Sequence, residues 1–131
     1  MHPFIRIGAA DCSIMLVFAG LLAMPLRAYA QGDAAAGEKT FAHCAACHST
    51  KPGEKRFGPS LAGVFGRKIG TEPGYNYSSA MKGANFTWDE KTLDEYLRGP
   101  GKFVQGTTIV YSVPNDKDRQ DIIAYLKTLS K

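Results

Sequence analysis

Apolar residues in the second half of this chain recur at helical spacing. Leu93, Tyr96 and Leu97 fall at i, i+3 and i+4, and Ile122, Ile123, Leu126 and Leu129 form a second stripe. Each stripe predicts a helix with one buried face. The former helix is predicted to start at Thr87-Trp88-Asp89-Glu90, which reads as a capping box, and to stop at Gly99-Pro100-Gly101. The latter is predicted to start near Asn115-Asp116, just after Pro114, with Lys127 and Lys131 suiting the negative end of its dipole. Upstream, Asp33 can cap a first helix running through Gly37 and Phe41 to Cys44. A glycine inside that helix costs about 1 kcal/mol against alanine. Close approach by another helix is the expected compensation at Gly37. No segment reads as a convincing strand, so the predicted fold class is all-α, a small domain of about three main helices. Lys51 to Gly74 is rich in Gly and Pro and reads as a long loop. Such a loop is unusual in a compact domain unless it wraps something.

The N-terminal pattern differs. Ser13 to Met24 is almost wholly apolar, Arg6 supplies a weak positive flank, and Ala28-Tyr29-Ala30 is a small-x-small site. Residues 1–30 therefore read as a secretory signal peptide cleaved after Ala30, which implies export to the periplasm. The apolar run is shorter than the ~20 residues a membrane-spanning helix needs. Asp11 dilutes the positive flank. Cys12 precedes the apolar run, whereas a lipoprotein cysteine would follow it. Residues 31–131 remain as one domain. The whole chain carries a formal net charge of +4, and removal of Arg6, Arg27 and Asp11 leaves it mildly basic. That balance suits acidic partner surfaces. It is too weak and too scattered to suggest nucleic acid.

Chemistry concentrates at Cys44-Ala45-Ala46-Cys47-His48. This C-x-x-C-H spacing is the attachment signature of a c-type haem. Two intervening residues make one helical turn, so both sulfurs can form thioethers along one edge of the macrocycle. The next residue, His48, is placed to ligate the iron. A disulfide or thioredoxin-like pair is the competing reading, and the adjoining histidine and absence of a βαβ pattern oppose it.

Several later motifs, in order, resemble those of the class I cytochrome c family, the mitochondrial-type protein and its bacterial periplasmic relatives. Gly58-Pro59-Ser60-Leu61-Ala62-Gly63 is similar to G-P-x-L-x-G, and Gly66-Arg67-Lys68-Ile69-Gly70 to G-R-x-x-G. Pro73-Gly74-Tyr75-Asn76-Tyr77 is similar to P-G-[FY]-x-Y, and Trp88, Tyr96 and Ala124-Tyr125-Leu126 follow at the family's spacings. The resemblance covers nearly all of residues 31–131. It implies one covalently attached haem c wrapped by the domain. It implies that the Pro59 carbonyl accepts from the His48 ring, fixing it and raising its basicity. Arg67, Tyr77 and Trp88 would donate to the haem propionates, which otherwise would be buried without partners. Gly37 and Phe41 would pack on Ile122, Tyr125 and Leu126. Aromatic core filling is the alternative for Tyr77, Trp88 and Tyr96, and the motif order favours haem contact.

One stretch departs from the family. Its sixth iron ligand comes from a loop reading P-G-T-K-M-x-F, and here Gln105-Gly106-Thr107-Thr108-Ile109-Val110-Tyr111 stands there. Ile109 occupies the methionine position, and isoleucine has no lone pair. Met81 could be a displaced ligand or a pocket filler. Lys102 could ligate only as a deprotonated amine, favoured at high pH. His43 lies on the proximal side and Tyr111 would need loop rearrangement; the last option is water or no sixth ligand.

The resulting expectation is a non-enzymatic, periplasmic one-electron carrier. Its partners would be redox proteins with acidic docking surfaces, including membrane respiratory or photosynthetic complexes. Lys55, Arg56, Lys82 and Lys102 are candidates for a basic docking face, with ordinary solvated surface as the alternative. The competing function is haem-based binding or sensing of a small ligand at an open distal site.

Overall fold

Asp33 opens the first helix of the computed structural model, which describes residues 31–130. The predicted signal segment, residues 1–30, lies outside the described residues. Among the described residues six helical segments follow in order: α1 (Ala34–Thr40), α2 (Ala42–Ala45), α3 (Ser79–Gly83), α4 (Glu90–Arg98), α5 (Pro100–Phe103) and α6 (Asp116–Thr128). Among the described residues there is no strand, only an isolated bridge between Lys68 and Thr87. The fold is the small all-α class expected, with α1, α4 and α6 as its longest helices.

The crossing of α1 and α6 is the main helix contact. The Asp33 carboxylate caps α1 by accepting the N–H groups of Ala35 and Ala36. Its own backbone N–H donates to the buried Asp121 carboxylate on α6 at 2.7 Å. A Cβ on Gly37 would lie 1.9 Å from the Asp121 carbonyl oxygen, so only glycine permits this approach. Phe41 is buried with its ring tilted on Tyr125, centroids 5.3 Å apart. The predicted single first helix breaks here. Phe41 forms a tighter turn, with the Cys44 N–H bonded to its carbonyl, and α2 restarts beyond it.

Two other boundaries differ from the sequence pattern. The cap of α4 is Asp89 with Thr92 reciprocating, not Thr87 with Glu90. Residues 86–88 are held extended because their backbone pairs with residues 66–69, through Ile69 N–H to Phe86 and Trp88 N–H to Arg67. Gly99 ends α4 as expected, but Pro100 then starts α5. Proline suits the first helical position, where no N–H is needed.

The core is Phe41, Val64, Ile69, Trp88, Leu93, Val104, Val113, Ile122, Ile123 and Leu126. Arg119 on α6 is 1% exposed and fully engaged. It donates to Asp94 on α4, to Asp116, and to the carbonyls of Val113 and Pro114. The segment from Lys51 to Gly74 is loop, as its composition predicts. It is tied to Ser49, just after His48, by the Leu61 N–H and to Leu129, near the C-terminus, by the Gly63 N–H, both at 2.8 Å. No helix among the described residues is long and apolar enough to cross a membrane.

Candidate haem site

The Cys44–His48 segment makes one tight turn. The His48 N–H donates to the Cys44 carbonyl at 2.9 Å, and the Cys47 N–H to the same carbonyl at 3.0 Å. Both thiols are free, Cys44 half-buried and Cys47 exposed. Burial, then the neighbouring Cys47, pushes the Cys44 thiol up from its ordinary value. A reactive redox cysteine needs the opposite shift.

His48 is held from two sides. Its Nδ1 lies 2.8 Å from the Pro59 carbonyl, which can only accept, so Nδ1 carries the proton and Nε2 keeps its lone pair. The Gly58 backbone also lies against the ring: a Cβ there would come within 2.4 Å of Cε1 and 2.6 Å of Nδ1. Burial lowers the His48 pKa, opposed by the Pro59 hydrogen bond. The ring is therefore neutral near pH 7, the form that binds a metal.

Arg67 enters from the 66–77 loop. Its NH1 donates to the Ala62 carbonyl at 3.0 Å and to Glu72, and its NH2 to the Ser60 carbonyl at 2.9 Å. Its Nε is buried with no partner. The arginine read as a propionate donor thus has two nitrogens already engaged and one donor orphaned. Tyr77 stacks edge-on against Tyr75 at 4.8 Å. Burial raises its pKa, partly offset by the Glu72 backbone and the Arg67 charge. Trp88 is buried, edge-on to Phe86 and Tyr96 at 5.0 Å each.

On the side of the 105–111 loop, the Tyr96 hydroxyl meets Thr107 Oγ1 at 3.2 Å, and the Ile109 N–H donates to that same oxygen. Ile109 is half-buried. Met81, in α3, is half-buried and packs against the core. Its N–H is capped by Ser78. Lys102 is exposed on α5, with its stem lying against Gly99. The structure does not bring the four candidate docking cations together as one unengaged cluster. Lys55 donates to the Gly74 carbonyl, Arg56 to Ala45 and Glu54, and Lys82 to Asn76.

Three contributors escaped the sequence pattern: Gly58 as a wall on the His48 ring, Thr107 as partner of Tyr96, and Glu72 as partner of Arg67. The only signal for Glu72 is an acid five residues after an arginine in a loop with no periodicity.

A buried guanidinium donor without an acceptor and a neutral histidine with a lone pair available behind two free cysteines suit a haem with its carboxylates. The cytochrome c family model matches residues 34–130. The chain belongs to the cytochrome c family. Cytochrome c2 of Rhodomicrobium vannielii is 48% identical over 103 residues, covering 77% of this chain and 82% of that protein. Cytochrome c of Euglena viridis is 46% identical over 100 residues, 75% of this chain and 98% of its own. Among solved structures, cytochrome cH from Methylobacterium extorquens superposes with a TM-score of 0.69 at 46% identity, covering 74% of this chain and 99% of that one. This cytochrome c is a haem-containing electron carrier with one covalently attached haem c and its iron.

Proposed function

We propose that this cytochrome c is a periplasmic one-electron carrier, exported by residues 1–30 and functional as residues 31–131 after cleavage behind Ala30. The haem supplies an iron couple that takes up and releases one electron. The chain's residues would hold it as follows. Cys44 and Cys47 form the thioethers, and His48 Nε2 ligates the iron. Pro59 fixes the His48 tautomer. Arg67, Tyr77 and Trp88 donate to the propionates, and Tyr96 lies towards the distal loop. The observation that carries the reading is the 2.8 Å contact from His48 Nδ1 to Pro59, directly behind the one-turn cysteine pair.

The distal loop supplies no thioether, because Ile109 stands where the family places methionine. Loss of a thioether ligand lowers the reduction potential. For the distal position this cytochrome c offers Met81, half-buried on α3, and Lys102, exposed on α5, with water or no sixth ligand as the alternative. Its partners are redox proteins with acidic docking surfaces, among them membrane respiratory or photosynthetic complexes, and the protein is not an enzyme. A second reading, small-ligand binding or sensing at an open distal site, draws on Ile109 together with the Tyr96–Thr107 hydroxyl pair. The test is mass spectrometry of the periplasmic protein followed by an optical redox titration. One haem surviving acid-acetone extraction and a reversible one-electron transition are expected. A folded wild type carrying no covalent haem would end this reading.

A further inference from the structure

Arg67 and Glu72 form a pair withdrawn from water, with side chains 15% and 9% exposed. Arg67 has five N–H donors. Those on NH1 and NH2 reach Ala62, Ser60 and the Glu72 carboxylate, and the Nε–H alone is buried without an acceptor. The guanidinium charge is therefore offset before any further anion arrives. The orphaned donor still requires an acceptor, and a carboxylate makes the strongest such bond. On the haem reading given above, that acceptor is a haem propionate. Two carboxylates then share one guanidinium.

We propose that Glu72 sets the reduction potential: its buried carboxylate competes with the haem propionate for Arg67, leaves the cluster net negative and holds the potential down. Reduction adds one electron to ferric iron, and negative charge kept near it in a low dielectric favours the ferric state. The backbone fixes the arrangement. Gly66 N–H donates to Trp88 at 2.7 Å and Ile69 N–H to Phe86 at 3.0 Å, so the loop carrying both residues is anchored. Ser60, whose carbonyl takes NH2, is fully buried.

The experiment is spectroelectrochemistry of the haem-loaded protein at low and high salt. Glu72→Gln is expected to shift the midpoint potential upward. The shift should persist in high salt, because buried charges are poorly screened. Glu72→Ala removes the same charge and should shift the potential the same way, which covers the case of a Gln variant that does not fold. Glu72→Asp keeps the charge and should stay near wild type. Glu38→Gln, at an exposed position on α1, is the surface control, and salt should remove any shift it gives. An unchanged potential in both neutral variants, or a shift that high salt removes, overturns the proposal. An Asp variant that shifts as far as Gln does so too. Failure of the underlying haem reading is distinguishable, because the wild type would then show no haem absorption before any titration.

Discussion

The His48 imidazole is clamped between a carbonyl on Nδ1 and the backbone of Gly58. Gly58→Ala would drive a methyl group into the ring, and overpacking of this kind costs about 1–3 kcal/mol. A lower thermal midpoint and a shifted Soret band are expected, measured by a thermal scan of the haem-loaded protein. Ile109→Met addresses the opposite face. It should create the weak red absorption band of iron–thioether ligation, block carbon monoxide and raise the potential. A spectrum identical to wild type would show that the loop does not bring residue 109 to the iron. At this scale, legibility followed contiguity. Cys44, Cys47 and His48 are read directly because their chemistry lies within one turn. Glu72 was invisible because its role exists only through Arg67, in a loop with no periodicity to say which side chains meet.

At the scale of elements, the crossing of α1 on α6 is set by a missing side chain. Gly37→Ala gains helix propensity of about 1 kcal/mol. It loses more, because the added Cβ would fall 1.9 Å from the Asp121 carbonyl oxygen, a backbone atom with little room to yield. A net destabilisation of about 2 kcal/mol is expected in denaturant titration, towards the upper part of the overpacking range once the propensity gain is subtracted. The same crossing is acid-sensitive. Hydrogen bonding from Lys117 holds the Asp121 carboxyl below its ordinary 3.8, aided by the Asp33 N–H and opposed by burial. A depressed folded pKa stabilises the protein above the unfolded value, and that contribution is lost as pH falls through the folded one. Stability should therefore decline below about pH 3.8, and Asp121→Asn should flatten that limb in denaturant titrations run at successive pH values. The stripes of α4 and α6 were legible because burial repeats with the helix. The start of α4 was misplaced by two residues because Thr87 and Trp88 are committed to the 66–69 segment, a contact no local window contains.

At the scale of the whole molecule, the long loop and three main helices share one apolar core, to which the loop contributes Val64 and Ile69. Ten buried apolar residues carry the packing among the described residues. On the proposed haem reading the cofactor adds apolar contact to this core, and its loss returns that surface to water. The double variant Cys44→Ala, Cys47→Ala should release the haem and leave the chain largely unfolded, seen as loss of helical circular dichroism. Export belongs to this scale too. N-terminal sequencing of the mature protein should begin at Gln31, and recovery of the intact chain in the membrane fraction would show instead that residues 1–30 anchor it. The most direct measurement on the central claim, a covalent haem whose distal loop provides no thioether, is absorption spectroscopy of the oxidised and reduced protein with and without carbon monoxide. A c-type haem spectrum is predicted, with no thioether band in the ferric form and ready carbon monoxide binding by the ferrous form at neutral pH. A ferric thioether band that survives Met81→Leu, with a ferrous spectrum indifferent to carbon monoxide, would contradict it.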